Sequence, residues 1–140
     1  MEKFGIGQPV SRKEDPRLVT GRGRYTDDIN LESQARLYVV RATHAHAELG
    51  AIGADVARAA PGVLAILTSD ELVSDGLGNL PCIYRVDNID GSQNAYPARP
   101  LLARGRVRYV GEPVAIVIAE TLEAARDAAD LIEIDYTPLA

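Results

Sequence analysis

The run Arg104-Gly105-Arg106-Val107-Arg108-Tyr109-Val110-Gly111-Glu112-Pro113-Val114-Ala115-Ile116-Val117-Ile118-Ala119-Glu120 constrains the fold more than any other part of the chain. Its first part alternates charged with small or apolar residues, Gly111-Glu112-Pro113 makes a tight turn, and Val114 to Ala119 is an unbroken apolar strand. A helix follows at once. Thr121 supplies its N-cap oxygen, and Leu122, Ala125, Ala129 and Ile132 recur on one face at helical spacing. Ile132-Glu133-Ile134-Asp135-Tyr136 then returns to alternation, so the order is strand, turn, strand, helix, strand.

Upstream, Gly5, Gly7, Pro9, Pro16, Gly21 and Gly23 leave residues 1–23 without a period, which predicts an arm that wraps a surface, followed by one domain over 24–140. Arg36 to Arg41 has strand character, and Ala47 to Gly53 is expected to return beside it. Asp55 caps a short helix through Ala60, closed by Pro61-Gly62. Val63 to Thr68 reads as a strand buried on both faces. Between residues 74 and 100, Gly76, Gly78, Pro81, Asn88, Gly91, Asn94, Pro97 and Pro100 break every long period, predicting a long irregular loop, a feature usually kept for function. Trp is absent and aromatics make up 5% of residues, so the core rests on Val, Ile, Leu and Ala.

Several segments together resemble one family. They are Ile6 to Val10, Arg12 to Leu18, Thr20 to Ile29, Val40 to Ala47, Ala60 to Val63, Arg99 to Ala103 and Val110-Gly111-Glu112-Pro113. In this order and spacing they resemble the N-terminal α/β hammerhead domain of the molybdenum-binding large subunit in the xanthine dehydrogenase, aldehyde oxidase and carbon monoxide dehydrogenase family. The resemblance implies an α/β fold of the α+β type, with a mixed sheet, two short helices packed on it and the long loop.

Several residue groups carry chemical options of their own. His44 and His46, two apart, share a face if extended and could grip a metal, but the further ligands of a closed site are not in view, and a structural pair is the plainer account. Gly21-Arg22-Gly23-Arg24-Tyr25 puts Thr26 where a dinucleotide loop needs its third glycine, so glycines serving a turn explain it better. Cys82 with His44 lacks a third positioned group for nucleophilic catalysis. Asp27-Asp28 and Glu14-Asp15 are adjacent carboxylates that point opposite ways in a strand and read as solvated turn charges. Glu112 is either a base or an acceptor of backbone amides or an arginine that holds its own turn, and the second is favoured. Arg104, Arg106 and Arg108 fall on one strand face, as a nucleic-acid strip or as ion-pair partners of carboxylates.

The net charge of −5 disfavours a general nucleic-acid binder. One cysteine excludes an internal disulfide and fits a reducing compartment. The apolar run Val114 to Ala119 falls far short of the roughly 20 residues of a membrane helix, and a cytoplasmic location is expected. No catalytic, cofactor-binding or metal residue is assigned. By resemblance, the complete enzyme hydroxylates an aldehyde or heterocycle or oxidises carbon monoxide at molybdenum bound to a pterin. Electrons leave through iron-sulfur clusters and FAD in partner subunits or domains. This piece then supplies architecture, lines the substrate funnel or contacts the iron-sulfur partner, meets the remainder of its own subunit, and is inactive alone. The other reading is a free-standing, non-enzymatic interaction module with the same fold.

Overall fold

The computed structural model describes Gly7 and residues 10–140; most of the tag from Ile6 to Val10 and the start of the predicted arm lie outside the described residues. The chain divides into two compact units, Met1–Gln34 and Ala35–Ala140.

In the first unit, the stretch expected to lack packed elements holds a helix, α1, Asp15–Val19. Pro16 stands in its opening turn, where a missing amide hydrogen costs nothing because no intrahelical acceptor is available there. The helix ends on Gly21 at φ +70°, with Arg22 N donating to Arg17 O (2.9 Å) and Gly21 N to Leu18 O (3.1 Å). Only a residue without a Cβ enters this left-handed exit freely. At Gly23 the reason is different: a Cβ there would stand 2.5 Å from Leu18 Cδ2.

The second unit contains β1 (Arg36–Arg41), β2 (Ala47–Gly53), α2 (Asp55–Arg58), β3 (Val63–Leu67), α3 (Ser69–Ser74), β4 (Arg106–Val107), β5 (Pro113–Ala119), α4 (Leu122–Asp130) and β6 (Glu133–Pro138). The strands divide between two three-stranded sheets, ordered β1-β5-β3 and β4-β2-β6, rather than gathering in one mixed sheet, and every pairing is antiparallel. β2 therefore pairs with β4 and β6, not with β1 as sequence order suggested. The cause lies at Ala42, whose amide donates to Glu112 O (2.9 Å) and whose carbonyl accepts from Gly111 N (2.8 Å). These bonds keep the chain beside the turn that opens β5, and bends at residues 43, 45 and 46 then carry it to the other sheet.

β5 is the strand buried on both faces. Val114, Ala115, Val117 and Ala119 are fully covered. Val117 and Ala119 join Ala54, Ala57, Ile66, Ala125, Ala128 and Ala129 in one core, while Val114 joins Ala42, Ala47, Ala103 and Val107 in a second. β3 is not enclosed as its composition predicted: it forms a sheet edge, and Leu64 remains exposed. α4 starts as expected, with Thr121 Oγ1 accepting from Ala124 N at 3.1 Å. It rests on the strand through alanines, whose short side chains let helix and sheet backbones approach closely. Gly62 takes φ +77° behind α2, the left-handed exit that Pro61-Gly62 implied.

α3 was absent from the sequence-based expectation, although Thr68-Ser69-Asp70-Glu71 carries its signature. Asp70 N donates to Thr68 Oγ1 (3.4 Å), Thr68 N donates to Glu71 Oε2 (2.8 Å), and the Thr68 hydroxyl donates to the same carboxylate. Arg58 Nη2 reaches Glu71 Oε1 at 2.6 Å from α2. The Thr68 hydroxyl first, then main-chain amides and the Arg58 charge, hold the Glu71 carboxyl below its ordinary pKa against the opposing effect of partial burial.

Two outcomes follow. Ala125→Leu overfills the seam between α4 and β5 and lowers stability by about 1–3 kcal/mol in urea unfolding. Because the folded Glu71 pKa is depressed, its stabilisation is present at neutral pH and lost as pH falls through the folded value. Thr68→Val is thus most destabilising near neutrality, and in urea titrations at successive pH values its deficit narrows, without vanishing, in acid.

Candidate functional site

The turn between β4 and β5 concentrates the unusual chemistry of the domain. Glu112 is the one buried charged residue among the described residues, 7% exposed. Its Oε2 accepts from Arg108 N at 2.6 Å and its Oε1 from Arg108 Nη1 at 3.3 Å. Glu112 N donates to Tyr109 O at 3.2 Å, and Gly111 takes φ +89°. Arg41 Nη1 from β1 donates to Gly111 O at 2.9 Å, and Ala103 N donates to Pro113 O at 2.7 Å. Since the carboxylate claims the Arg108 amide, that amide is withdrawn from strand pairing, and β4 stops at Val107 instead of running to the turn as its alternation predicted. A carboxylate buried with both oxygens engaged is a brace, and the favoured account of Glu112 agrees with this geometry. Sequence reasoning missed Arg41 and Ala42 as its neighbours, because nothing local ties positions so distant along the chain.

The arginines do not form a strip. Arg104 faces Asp70 at 3.9 Å, and Arg108 Nη1 turns to Glu112 and to Arg106 O (3.2 Å), so carboxylate pairing accounts for Arg104 and Arg108. A polar concavity of about 350 Å³ opens between β2 and α3, lined by Arg58, Asp70, Glu71 and Arg104. Its charges pair with one another, Arg58 with Glu71 and Arg104 with Asp70.

The two histidines part company. His44 stacks on Tyr136 with ring centroids 4.5 Å apart and places Nδ1 3.1 Å from Thr43 Oγ1, whereas His46 Nδ1 lies 3.2 Å from Ala140 O. The Tyr136 hydroxyl is shut off from solvent, which pushes its pKa up. No cluster of three or more His, Cys, Asp or Glu residues able to hold a metal occurs among the described residues. Cys82 is exposed, its thiol donating to Tyr84 O (2.9 Å). Asp28 Oδ2 accepts from Tyr25 N (2.8 Å) to close a 3₁₀ turn, as a turn charge does, whereas Asp15 is the first residue of α1 and sits 3.9 Å from Arg12.

The long loop, from Asp75 to Gly105, is more ordered than its composition implied. Leu80 N donates to Arg99 O (2.8 Å) near its base. Further out, Asn88 O accepts from Gly91 N and Asn88 N donates to Ser92 O, both at 2.9 Å, with Gly91 at φ +79°. This is a small hairpin with a three-residue tip, Ile89-Asp90-Gly91, and Asp87 bridges Gln93 across it. The Asp-Gly pair was the signal available in the sequence. Ile83, Tyr84, Val86 and Ile89 are all strongly exposed on this excursion.

Residues 20–140 match the family described as aldehyde oxidase and xanthine dehydrogenase, a/b hammerhead domain. The chain belongs to this family. It is 40% identical over 134 residues to the nicotine 6-hydroxylase large subunit of Paenarthrobacter nicotinovorans, a match covering 96% of this chain and 16% of that protein. The crystal structure of quinoline 2-oxidoreductase from Pseudomonas putida 86 superposes with a TM-score of 0.79 at 35% identity, over 99% of this chain and 17% of that one. The Cu,Mo-dependent carbon monoxide dehydrogenase in its carbon monoxide-reduced state gives 0.74 at 34%, over 96% and 16%. The hammerhead domain thus spans about a sixth of these relatives. No helix among its described residues is long and apolar enough to cross a membrane.

Removing the brace tests its role in the hammerhead. Glu112→Ala removes the acceptor of the Arg108 amide and lowers stability by about 1–2 kcal/mol, while Glu112→Gln, which keeps an acceptor, costs about half as much. Hydrogen exchange at the Arg108 amide accelerates in the alanine variant before global unfolding.

Proposed function

We propose that this chain is the N-terminal architectural domain of a molybdenum hydroxylase large subunit and carries no reaction centre of its own. The observation that supports this most directly is Glu112: the one buried carboxylate among the described residues spends both oxygens on its own turn. Among the described residues the histidines turn to different partners and no third ligand joins them, so these side chains form no metal-holding set. The molybdenum-pterin cofactor is assigned to the remaining polypeptide of the subunit, and the iron-sulfur clusters and FAD to partner subunits or domains. The relatives named above act on nicotine, quinoline and carbon monoxide; for this chain the proposal is a hydroxylase or dehydrogenase of that class, working in the cytoplasm. Within it, the domain is a wall that meets the rest of the subunit and places the Asp75–Gly105 loop toward the substrate funnel or the iron-sulfur partner.

The test is made by expressing the chain alone and together with the rest of the large subunit. Alone, it is expected to purify without molybdenum by elemental analysis and to reduce no dye acceptor with aldehyde or heterocyclic substrates. Together, the two polypeptides are expected to co-purify in equal amounts. Pterin binding or turnover by the isolated chain would refute the division of labour.

A further inference from the structure

The two sheets treat their outer faces differently. In β4-β2-β6 the face turned away from the second core is polar: Glu48 stands opposite Arg106 on one side and Thr137 on the other, and all three are exposed. This is the alternation of an antiparallel sheet with one solvated face. In β1-β5-β3, helices cover the face that carries Val40, Ile66, Val117 and Ala119. The opposite face is covered at its Val114 end by the second core. Beyond that end it holds two aliphatic rows across all three strands, Leu37-Ile118-Ala65 and Val39-Ile116-Leu67, set side by side by the register. None of the six joins either core. Leu37 is 52% exposed, and the other five are half-buried.

We infer that this face is the seat of the polypeptide that continues the large subunit, which lays an uncharged apolar layer across Leu37, Ile116 and Ile118. The inference rests on the proposal that this chain is one part of such a subunit, and it names the surface of contact. A sheet that is aliphatic on both faces has to bury both, and a contiguous apolar patch marks an interaction surface. The same chain gives its other sheet a polar outer face, so the aliphatic choice here answers to a covering layer and not to water. Small molecules are held in concave sites, and this face is a sheet surface. The concavity between β2 and α3 and an apolar cleft of about 200 Å³ beside α3 are lined by other residues. The occupant is therefore a macromolecule. This chain matches 16% of the nicotine 6-hydroxylase large subunit. A continuing polypeptide of that length is tethered to the domain, and its effective concentration at the face exceeds that of a second copy.

Thiol labelling tests the contact. Cys82 is the only cysteine of the sequence, so Leu37→Cys in a Cys82→Ser background puts the single thiol on the face. In the chain alone it reacts with a maleimide at the rate of an exposed cysteine. In the assembly with the rest of the large subunit the reaction slows about a hundredfold, because a covered thiol reacts only when the contact opens. Leu37→Lys leaves urea unfolding of the chain alone nearly unchanged and weakens assembly about a hundredfold, since it brings an unpaired ammonium into an apolar contact. Full reactivity of the thiol in the assembly, or assembly undisturbed by Leu37→Lys, overturns the inference and leaves the architectural reading standing. Protection in the chain alone that grows with concentration assigns the face to a second copy, and protection independent of concentration assigns it to the chain's own residues; either result overturns it. If the unsubstituted polypeptides do not co-purify, the architectural reading falls and takes this inference with it.

Discussion

A strand covered on both faces admits only small or compact side chains, and β5 imposes that requirement on everything around it. Its alanines and valines leave the helix above it no room for bulk, so α4 lies on Ala125, Ala128 and Ala129. Below, the same strand lends Val114 to a second core with Ala42, Ala47, Ala103 and Val107. One seven-residue strand thus belongs to both hydrophobic clusters, and the turn that launches it has to be held at a fixed angle. Glu112 provides that fixation from the residue just ahead of Pro113, with the main chain of Ala42 and the side chain of Arg41 closing in from β1. Packing and polar restraint meet at one point of the chain.

Local chemistry was legible and pairing was not. Thr121, the alanine face of α4, the apolar run of β5 and the Pro61-Gly62 exit each announce themselves within a few residues, because capping, periodicity and φ preference are short-range effects. Alternation says that Arg36 to Arg41 and Ala47 to Gly53 are strands, but not that they enter different sheets; that depends on bonds from Ala42 to positions 111 and 112, far along the chain. The composition of β3 implied enclosure, but a strand at a sheet edge keeps one flank open whatever its residues. Where Gly and Pro are dense, as between residues 74 and 100, they hide smaller signals, and the Asp90-Gly91 tip was lost among them. α3 was lost for another reason: its capping box sits directly against the end of β3, where the apolar run masks the start of a helix.

The candidate site was partly legible. Glu112 drew attention through its neighbours Gly111 and Pro113, and its structural role was the favoured reading of the residues. The identity of its partner was within reach too, since Arg108 stands four residues before it. By contrast, the separation of His44 from His46 required coordinates, because each ring is claimed by a group distant in sequence, Tyr136 and Ala140. The family relation explains why such a well-ordered fold spends its polar side chains on itself. It is a small fraction of its relatives, and its interior is built for holding shape.

The anchorage of the long loop has an evolutionary corollary. Its two ends leave the core side by side: Leu72 and Leu102 line the same cleft of about 200 Å³, and Arg104 reaches back to Asp70. When the feet of an excursion are already together, lengthening it adds little closure entropy, about 0.6 kcal/mol for each doubling. The segment is therefore a cassette that insertions, deletions and recombination can rewrite at small thermodynamic expense. New contacts can arise there while the folding unit beneath is inherited unchanged.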